Sequence, residues 1–176
     1  MSVSVNAQAR GRVGFALVAV AAAGAVGLAT WLVLDGLPVA AGLGALAAGA
    51  ILLAADSAVH GPGTMLERTV ASFVDRAFDG AILAAIAWAY RTTDPWIAVG
   101  ALVALGASFL AAYVRARGAS LGYGVGESSV TRGLRYGLIS VGLLTDGLGW
   151  TLWTVASVMA LAALVRASQV AKEERA

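Results

Sequence analysis

The chain has 176 residues, of which 60% are hydrophobic and 12% are charged, with a net charge of +2. A soluble domain carries about 25% charged residues and about 45–50% apolar ones, so this chain has too few charges to cover a water-exposed surface. The composition is also the opposite of that of disordered chains. We therefore predict an all-α integral membrane protein.

The rare residue types exclude several kinds of site. The chain has no Cys and one His, which removes disulfides, thiolate metal sites and multi-His metal sites. Any metal would therefore be a hard cation held by oxygen ligands. The basic residues lie beside apolar segments, so their small excess does not indicate nucleic acid binding. Their strong bias to Arg over Lys, with abundant Ala, Gly and Val, is typical of a prokaryotic protein.

Six apolar segments predict transmembrane helices, which need about 20 mostly apolar residues. In chain order the segments are 13–34, 39–55, 70–90, 96–114, 134–148 and 150–165. The fifth is the shortest, because only the stretch between Arg135 and Asp146 lacks charge. We predict a single membrane domain over 1–176 that forms a bundle of six transmembrane helices.

The distribution of positive charge predicts the orientation, because Lys and Arg concentrate in cytoplasmic segments. With six spans, every basic residue except Arg91 falls on the same side. Both termini are therefore predicted to be cytoplasmic, in the cytoplasmic membrane of a prokaryote. All five Trp fall at the opposite ends of their segments, as expected of an aromatic belt at the outer interface.

Acidic residues gather at the predicted cytoplasmic ends of the second and third spans. Asp56 ends the second span, and Glu67, Asp75 and Asp79 lie around the start of the third. The spacing of the last three by multiples of four places them on one helical face. Carboxylates crowded in this way suit Mg²⁺ or Mn²⁺ bound together with phosphate oxygens.

The same carboxylates also have interpretations that need no metal. Glu67 is the last residue of a capping-box pattern, in which it would only satisfy backbone donors at the start of a helix. Asp75 has Arg68 and Arg76 nearby, so it can form an ion pair instead of binding a metal. Asp79 lies a further turn into the span, where an ionised group is costly and is by default a functional candidate, so these interpretations explain it less well.

Four arginines surround the loop between the fourth and fifth segments. Arg115 and Arg117 close the fourth segment, and Arg132 and Arg135 open the fifth. Guanidinium groups bind phosphate through paired hydrogen bonds, so the group predicts a site for an anion. The simpler interpretation is an anchor that contacts anionic headgroups at the membrane surface.

Three stretches resemble the CDP-alcohol phosphatidyltransferases, a family of membrane enzymes with six spans. They are DRAFDGAIL at 75–83, YVRARGASLGY at 113–123 and TRGLR at 131–135. The first is similar to the end of the family signature D-x2-D-G-x2-A-R-x8-G-x3-D-x3-D. The other two are similar to the family's Arg-containing segments at the exit of the fourth span and the entry of the fifth.

The resemblance implies a reaction, a cofactor and partners. The reaction would transfer a phosphatidyl group from CDP-diacylglycerol to an alcohol or alcohol phosphate, such as inositol phosphate or glycerol phosphate, in phospholipid biosynthesis. The protein would be a homodimer. Asp56, Asp75 and Asp79, with Glu67 recruited, would hold Mg²⁺ or Mn²⁺, and Asp75 or Asp79 would act as the catalytic base. The acceptor phosphate would be bound by Arg115, Arg117, Arg132 and Arg135.

The match to the signature is incomplete. With Asp75 and Asp79 as the third and fourth aspartates, strict spacing leaves no aspartate at the first two positions, although Asp56 lies one residue away from the second. With Asp75 as the fourth aspartate, the third position falls on Ala71. Neither register contains four aspartates. The alternative hypothesis is therefore a catalytically inactive relative that acts as a lipid-binding protein or as the partner subunit of an active enzyme.

Overall fold

The structure is a computed structural model that describes the backbone of residues 2–59, 65–123 and 129–173. Side chains are described for residues 16–54, 69–70, 72–123 and 130–172. Within these ranges the chain is helical apart from the turns between helices, and it contains no strand. The predicted all-α class is confirmed.

Six helices make up the described part of the chain. They are α1 (Ser2–Leu34), α2 (Pro38–Val59), α3 (Met65–Tyr90), α4 (Pro95–Ser120), α5 (Ser129–Leu144) and α6 (Leu148–Glu173). Most of them extend beyond the predicted segments. The flanking sequence contains Ala, Arg and Glu, which are strong helix formers although the last two are not apolar. α5 is the exception, since it ends at Leu144 and not at position 148.

Three helices are long and apolar enough to cross a membrane. Their apolar stretches are Ala16–Leu34, Pro95–Ser120 and Leu148–Lys172, and α2 has a shorter one, Pro38–Ala54. α5 has 16 residues and a length of about 24 Å, which is less than the ~30 Å hydrocarbon core of a bilayer. Membrane spanning by α2, α3 and α5, and the side on which the termini lie, stay predictions.

The helices pack in a ring in the order α1, α2, α5, α6, α4, α3 and back to α1, and α2 also contacts α3. α3 and α5 are therefore not neighbours in this ring, and their backbones do not pack together in the described part of the chain. The space between the helices is filled mainly by Ala, Leu, Ile and Val. Only long side chains can connect α3 with α5.

Small residues determine how closely α2 approaches its neighbours. A Cβ atom added at Gly49 would lie 2.8 Å from Tyr136 Cβ, and one at Gly42 would lie 2.8 Å from Leu144 Cγ. Both neighbours belong to α5, so two glycines on one face of α2 allow that helix to approach. On the α1 side, a Cβ at Gly44 would lie 3.2 Å from the Cβ of Ala29.

One end of the bundle is rich in tryptophan. Trp96 of α4 stacks on Trp153 of α6 with ring centroids 4.5 Å apart. The Arg91 guanidinium lies 3.7 Å from the ring centroid of Trp88, at the end of α3. Trp150 of α6 is exposed. This arrangement suits the predicted aromatic belt, because indole rings favour the boundary between lipid and water.

Asp94 caps the amino-terminal end of α4, and its removal should weaken that end. Its Oδ1 accepts from the backbone N–H of Trp96 at 3.0 Å and of Ile97 at 3.3 Å. We expect Asp94→Ala to lower the free energy of unfolding by about 1 kcal/mol, measured by thermal unfolding in detergent micelles. Asp146→Ala, which removes an exposed acid from the α5–α6 turn, is the control and should change it by less than about 0.5 kcal/mol. Equal losses in both variants would contradict the role of the cap.

Candidate functional site

Asp75 and Asp79 lie one turn apart on the inner face of α3. Asp75 is 4% exposed and Asp79 is 0% exposed, and Phe78 beside them is fully buried. The sequence places these carboxylates around the start of the third span. The structure places Asp79 near the middle of its helix, because α3 begins earlier, at Met65. Both predicted catalytic residues are therefore deep inside the bundle.

Arg135 of α5 binds both carboxylates with one guanidinium group. Its Nη2 donates to Asp75 Oδ1 at 2.8 Å, and its Nε lies 2.9 Å from Asp79 Oδ1. The Arg135 side chain is itself 1% exposed. The planar guanidinium presents these two nitrogens in a rigid fork, so one side chain from α5 fixes two side chains of α3.

Arg76 and Tyr136 complete the set of partners. Arg76 Nη2 donates to Asp75 Oδ2, and Arg76 Nη1 lies 3.2 Å from Asp79 Oδ2. Arg76 Nη1 also donates to the main-chain carbonyl of Ser108 in α4 at 3.3 Å. The Tyr136 hydroxyl donates to Asp75 Oδ1. Each of the four carboxylate oxygens thus contacts a guanidinium or hydroxyl donor.

We call Asp75, Arg76, Asp79 and Arg135 the charge cluster. Its two acids and two bases carry no net charge. Burying an ion in an apolar interior is costly unless it is paired and hydrogen-bonded. Asp75 is hydrogen-bonded to Arg76, Arg135 and Tyr136, and Asp79 forms ion-pair contacts with Arg76 and Arg135. The ion-pair interpretation of Asp75 is realised here, with Arg76 and with a second partner from α5.

The arrangement does not fit a divalent cation between Asp75 and Asp79. Mg²⁺ or Mn²⁺ requires carboxylate oxygens directed at a common point about 2.0–2.6 Å away, whereas these oxygens face guanidinium and hydroxyl donors. Among the described residues, no group of three or more acidic or His side chains could hold a metal. The side chains of Asp56 and Glu67 lie outside the described residues, so a metal held by them stays a prediction.

The four arginines predicted to bind phosphate have different surroundings. Arg135 is buried in the charge cluster, whereas Arg132 and Arg115 are half-buried and Arg117 is exposed. Arg117 lies in the last turn of α4. Arg135 of α5 reaches across the interior to the acids of α3, so its side chain belongs to the charge cluster.

Two buried side chains outside the predicted site take part in this region. Tyr136 is 2% exposed and Arg166 is 6% exposed. Arg166 Nη1 donates to the main-chain carbonyl of Ala111 at 3.0 Å, which connects α6 to α4. In the sequence Arg166 only adds to the basic residues at the end of the last segment. Its contact with α4 depends on the order of the helices in the ring, which spacing does not reveal.

Comparison of the chain with protein-family models, with curated proteins and with solved structures finds no match. The resemblance to CDP-alcohol phosphatidyltransferases thus depends on the three stretches at 75–83, 113–123 and 131–135, and it stays a prediction.

Proposed function

We propose that the protein is a non-catalytic relative of the CDP-alcohol phosphatidyltransferases that binds a phosphate-bearing lipid in the membrane. The observation that supports this proposal is the burial of Asp75 and Asp79 and their contact with two guanidinium groups. A catalytic base needs an oxygen within about 2.6–3.2 Å of the acceptor hydroxyl. Both carboxylates are buried, and their oxygens contact Arg76, Arg135 or Tyr136.

The lipid would bind where basic side chains lie at the end of an apolar helix. Arg115 and Arg117 lie near the end of α4, within the stretch Pro95–Ser120 that is apolar enough to cross a membrane. Arg117 is exposed, and Arg115 and Arg132 are half-buried. Basic side chains close to an anionic membrane surface contribute about 1 kcal/mol each to binding. The exposed Arg117 is therefore the first residue to test.

The second candidate is the active transferase. It is favoured by one observation, which is that Asp75, Asp79 and Arg135 meet in one place, as a reaction at a phosphate would need. In this hypothesis the acids separate from Arg76 and Arg135 before the reaction. A CDP-linked donor, an alcohol phosphate acceptor, a homodimer and a cytoplasmic active face all belong to it.

One experiment tests both candidates. Purified protein in detergent micelles would be incubated with radiolabelled CDP-diacylglycerol, Mg²⁺ or Mn²⁺, and inositol phosphate or glycerol phosphate. We expect the lipid to co-elute with the protein, without CMP release above that of an Asp75→Asn/Asp79→Asn variant. Arg117→Gln should lower lipid affinity about fivefold, equivalent to about 1 kcal/mol. Arg91→Gln, at the tryptophan-rich end, is the matched control and should leave the affinity unchanged.

Two results would decide against the proposal. Metal-dependent CMP release that is lost in both Asp75→Asn and Asp79→Asn would establish the transferase. Lipid binding that is absent, or that is equally strong with Arg117→Gln, would contradict a lipid site at the end of α4.

A further inference from the structure

The charge cluster lies where two helices are not in backbone contact. α3 packs on α1, α2 and α4, and α5 packs on α2 and α6. Arg135 of α5 nevertheless reaches Asp75 and Asp79 of α3 at 2.8 and 2.9 Å. The direct connection described between these two helices consists of side chains that cross the interior of the bundle.

An aromatic contact holds this connection in place. The Tyr136 ring meets the Phe78 ring edge to face, with centroids 4.7 Å apart. A Cβ added at Gly49 in α2 would lie 3.0 Å from Tyr136 Cγ, so Tyr136 also lies close to that helix. The side chain is thus near both α2 and α3, and its hydroxyl donates to Asp75 Oδ1. Tyr136 orients one acid of the pair, while Arg135 contacts both.

The guanidinium groups supply what a divalent cation would supply at a pair of carboxylates. A divalent cation brings two positive charges to a common point and draws the oxygens towards it. Here Arg135 contacts Oδ1 of both acids, and Arg76 contacts Oδ2 of both acids. Two single charges from two helices therefore balance the two acids, and rigid forks replace the coordination geometry.

We propose that Arg76 and Arg135 take the place of a divalent cation between Asp75 and Asp79, so that the charge cluster connects α3 with α5 without a metal. The proposal concerns what holds the bundle together and does not depend on lipid binding. Arg135 acts as the cross-helix partner, and Arg76 completes the charge balance from within α3.

The first test measures metal binding to the full-length protein in detergent micelles. Binding of Mn²⁺ is followed by electron paramagnetic resonance, and unfolding temperature is measured in EDTA and in Mn²⁺. We expect Mn²⁺ binding and the effect of Mn²⁺ on unfolding to be the same in the unmodified protein and in Asp79→Asn/Arg135→Gln, which removes one acid of the pair and keeps the cluster neutral. A Mn²⁺ ion bound by the unmodified protein and lost in that variant would overturn the proposal.

The second test measures the coupling between Asp79 and Arg135 by a double-mutant cycle. Asp79→Asn and Arg135→Gln each leave the buried charge cluster with one uncompensated charge, and Arg135→Gln should lower the unfolding temperature by about 10 °C. Asp79→Asn/Arg135→Gln removes one acid and one base together, so it should recover a large part of this loss. Losses that simply add in the double variant would show that the two side chains do not form a connecting pair.

Because the double variant keeps the cluster neutral, its stability remains measurable even where Arg135→Gln alone does not fold. Neither test involves lipid or CMP, so its result is independent of the proposed function.

Discussion

Arg135→Gln is expected to lower the free energy of unfolding by about 3–5 kcal/mol, the largest effect of any single substitution considered for this protein. Removing one partner of a buried ion pair leaves the other charge uncompensated in an apolar interior. Arg135 is 1% exposed and contacts both Asp75 and Asp79, so its loss affects two buried acids. Unfolding of the purified protein in detergent, followed by circular dichroism, would measure the effect.

Two further variants separate charge from geometry at this position. Arg135→Lys keeps the charge but loses the planar fork, so we expect a stability between those of the unmodified protein and Arg135→Gln. Arg117→Gln removes an exposed guanidinium and should change stability by less than about 0.5 kcal/mol. If Arg135→Gln were as mild as Arg117→Gln, the charge cluster would not stabilise the bundle.

Gly49→Ala is expected to destabilise the protein by about 1–3 kcal/mol, because extra volume in a closely packed interface forces the helices apart. The new Cβ would lie 2.8 Å from Tyr136 Cβ, 3.0 Å from Cγ and 3.1 Å from Cδ2. The Tyr136 ring cannot easily turn away, since it also packs against Phe78. The substitution should therefore displace Tyr136 from Asp75 as well as separate α2 from α5. Thermal unfolding in detergent measures the loss.

Gly106→Ala provides the matched control. Gly106 lies within α4 and is exposed, and a Cβ added there would meet no atom within 4 Å. Ala is favoured over Gly inside a helix by about 0.8–1 kcal/mol, so this variant should be as stable as the unmodified protein or more stable. A similar loss in both variants would show that the cost at Gly49 does not come from contact with Tyr136.

These expectations share one physical origin, which is the position of α5 in the ring. Close packing of α2 on α5 through Gly42 and Gly49 holds α5 in place. α5 then presents Arg135 and Tyr136 to the interior, opposite α3. The interior is filled mainly by apolar side chains, so the ion pairs there are shielded from water and the loss of one partner is costly. Packing and electrostatics therefore depend on each other at this site.

Part of the site is foreseeable from spacing along one helix. Asp75 and Asp79 are four residues apart, which places them on one face of α3, and Arg76 is near enough in sequence to pair with Asp75. These relations are local, because a helix has a fixed rise and rotation per residue. The same geometry allows no inference about a partner on another helix.

The role of Arg135 illustrates what local spacing misses. In the sequence it belongs with Arg115, Arg117 and Arg132 near one loop, and that grouping predicts a phosphate site. In the structure its guanidinium is 2.8 Å from Asp75 and 2.9 Å from Asp79. A guanidinium forms paired, charge-assisted hydrogen bonds with a carboxylate as well as with a phosphate, so its partner depends on which helix lies opposite.

The sequence by itself determined that this is a helical chain with stretches apolar enough for a membrane, and that two acids share one face of α3. Composition and periodicity are sufficient for these conclusions, because they depend on the transfer of side chains from water and on the geometry of a single helix. Only the tertiary structure decided that α3 and α5 face each other across the bundle and that Arg135 and Tyr136 bind Asp75. That outcome depends on the order in which six helices pack, which small contacts such as those at Gly42 and Gly49 decide. Such contacts join residues far apart in the chain and leave no periodic signal in the sequence.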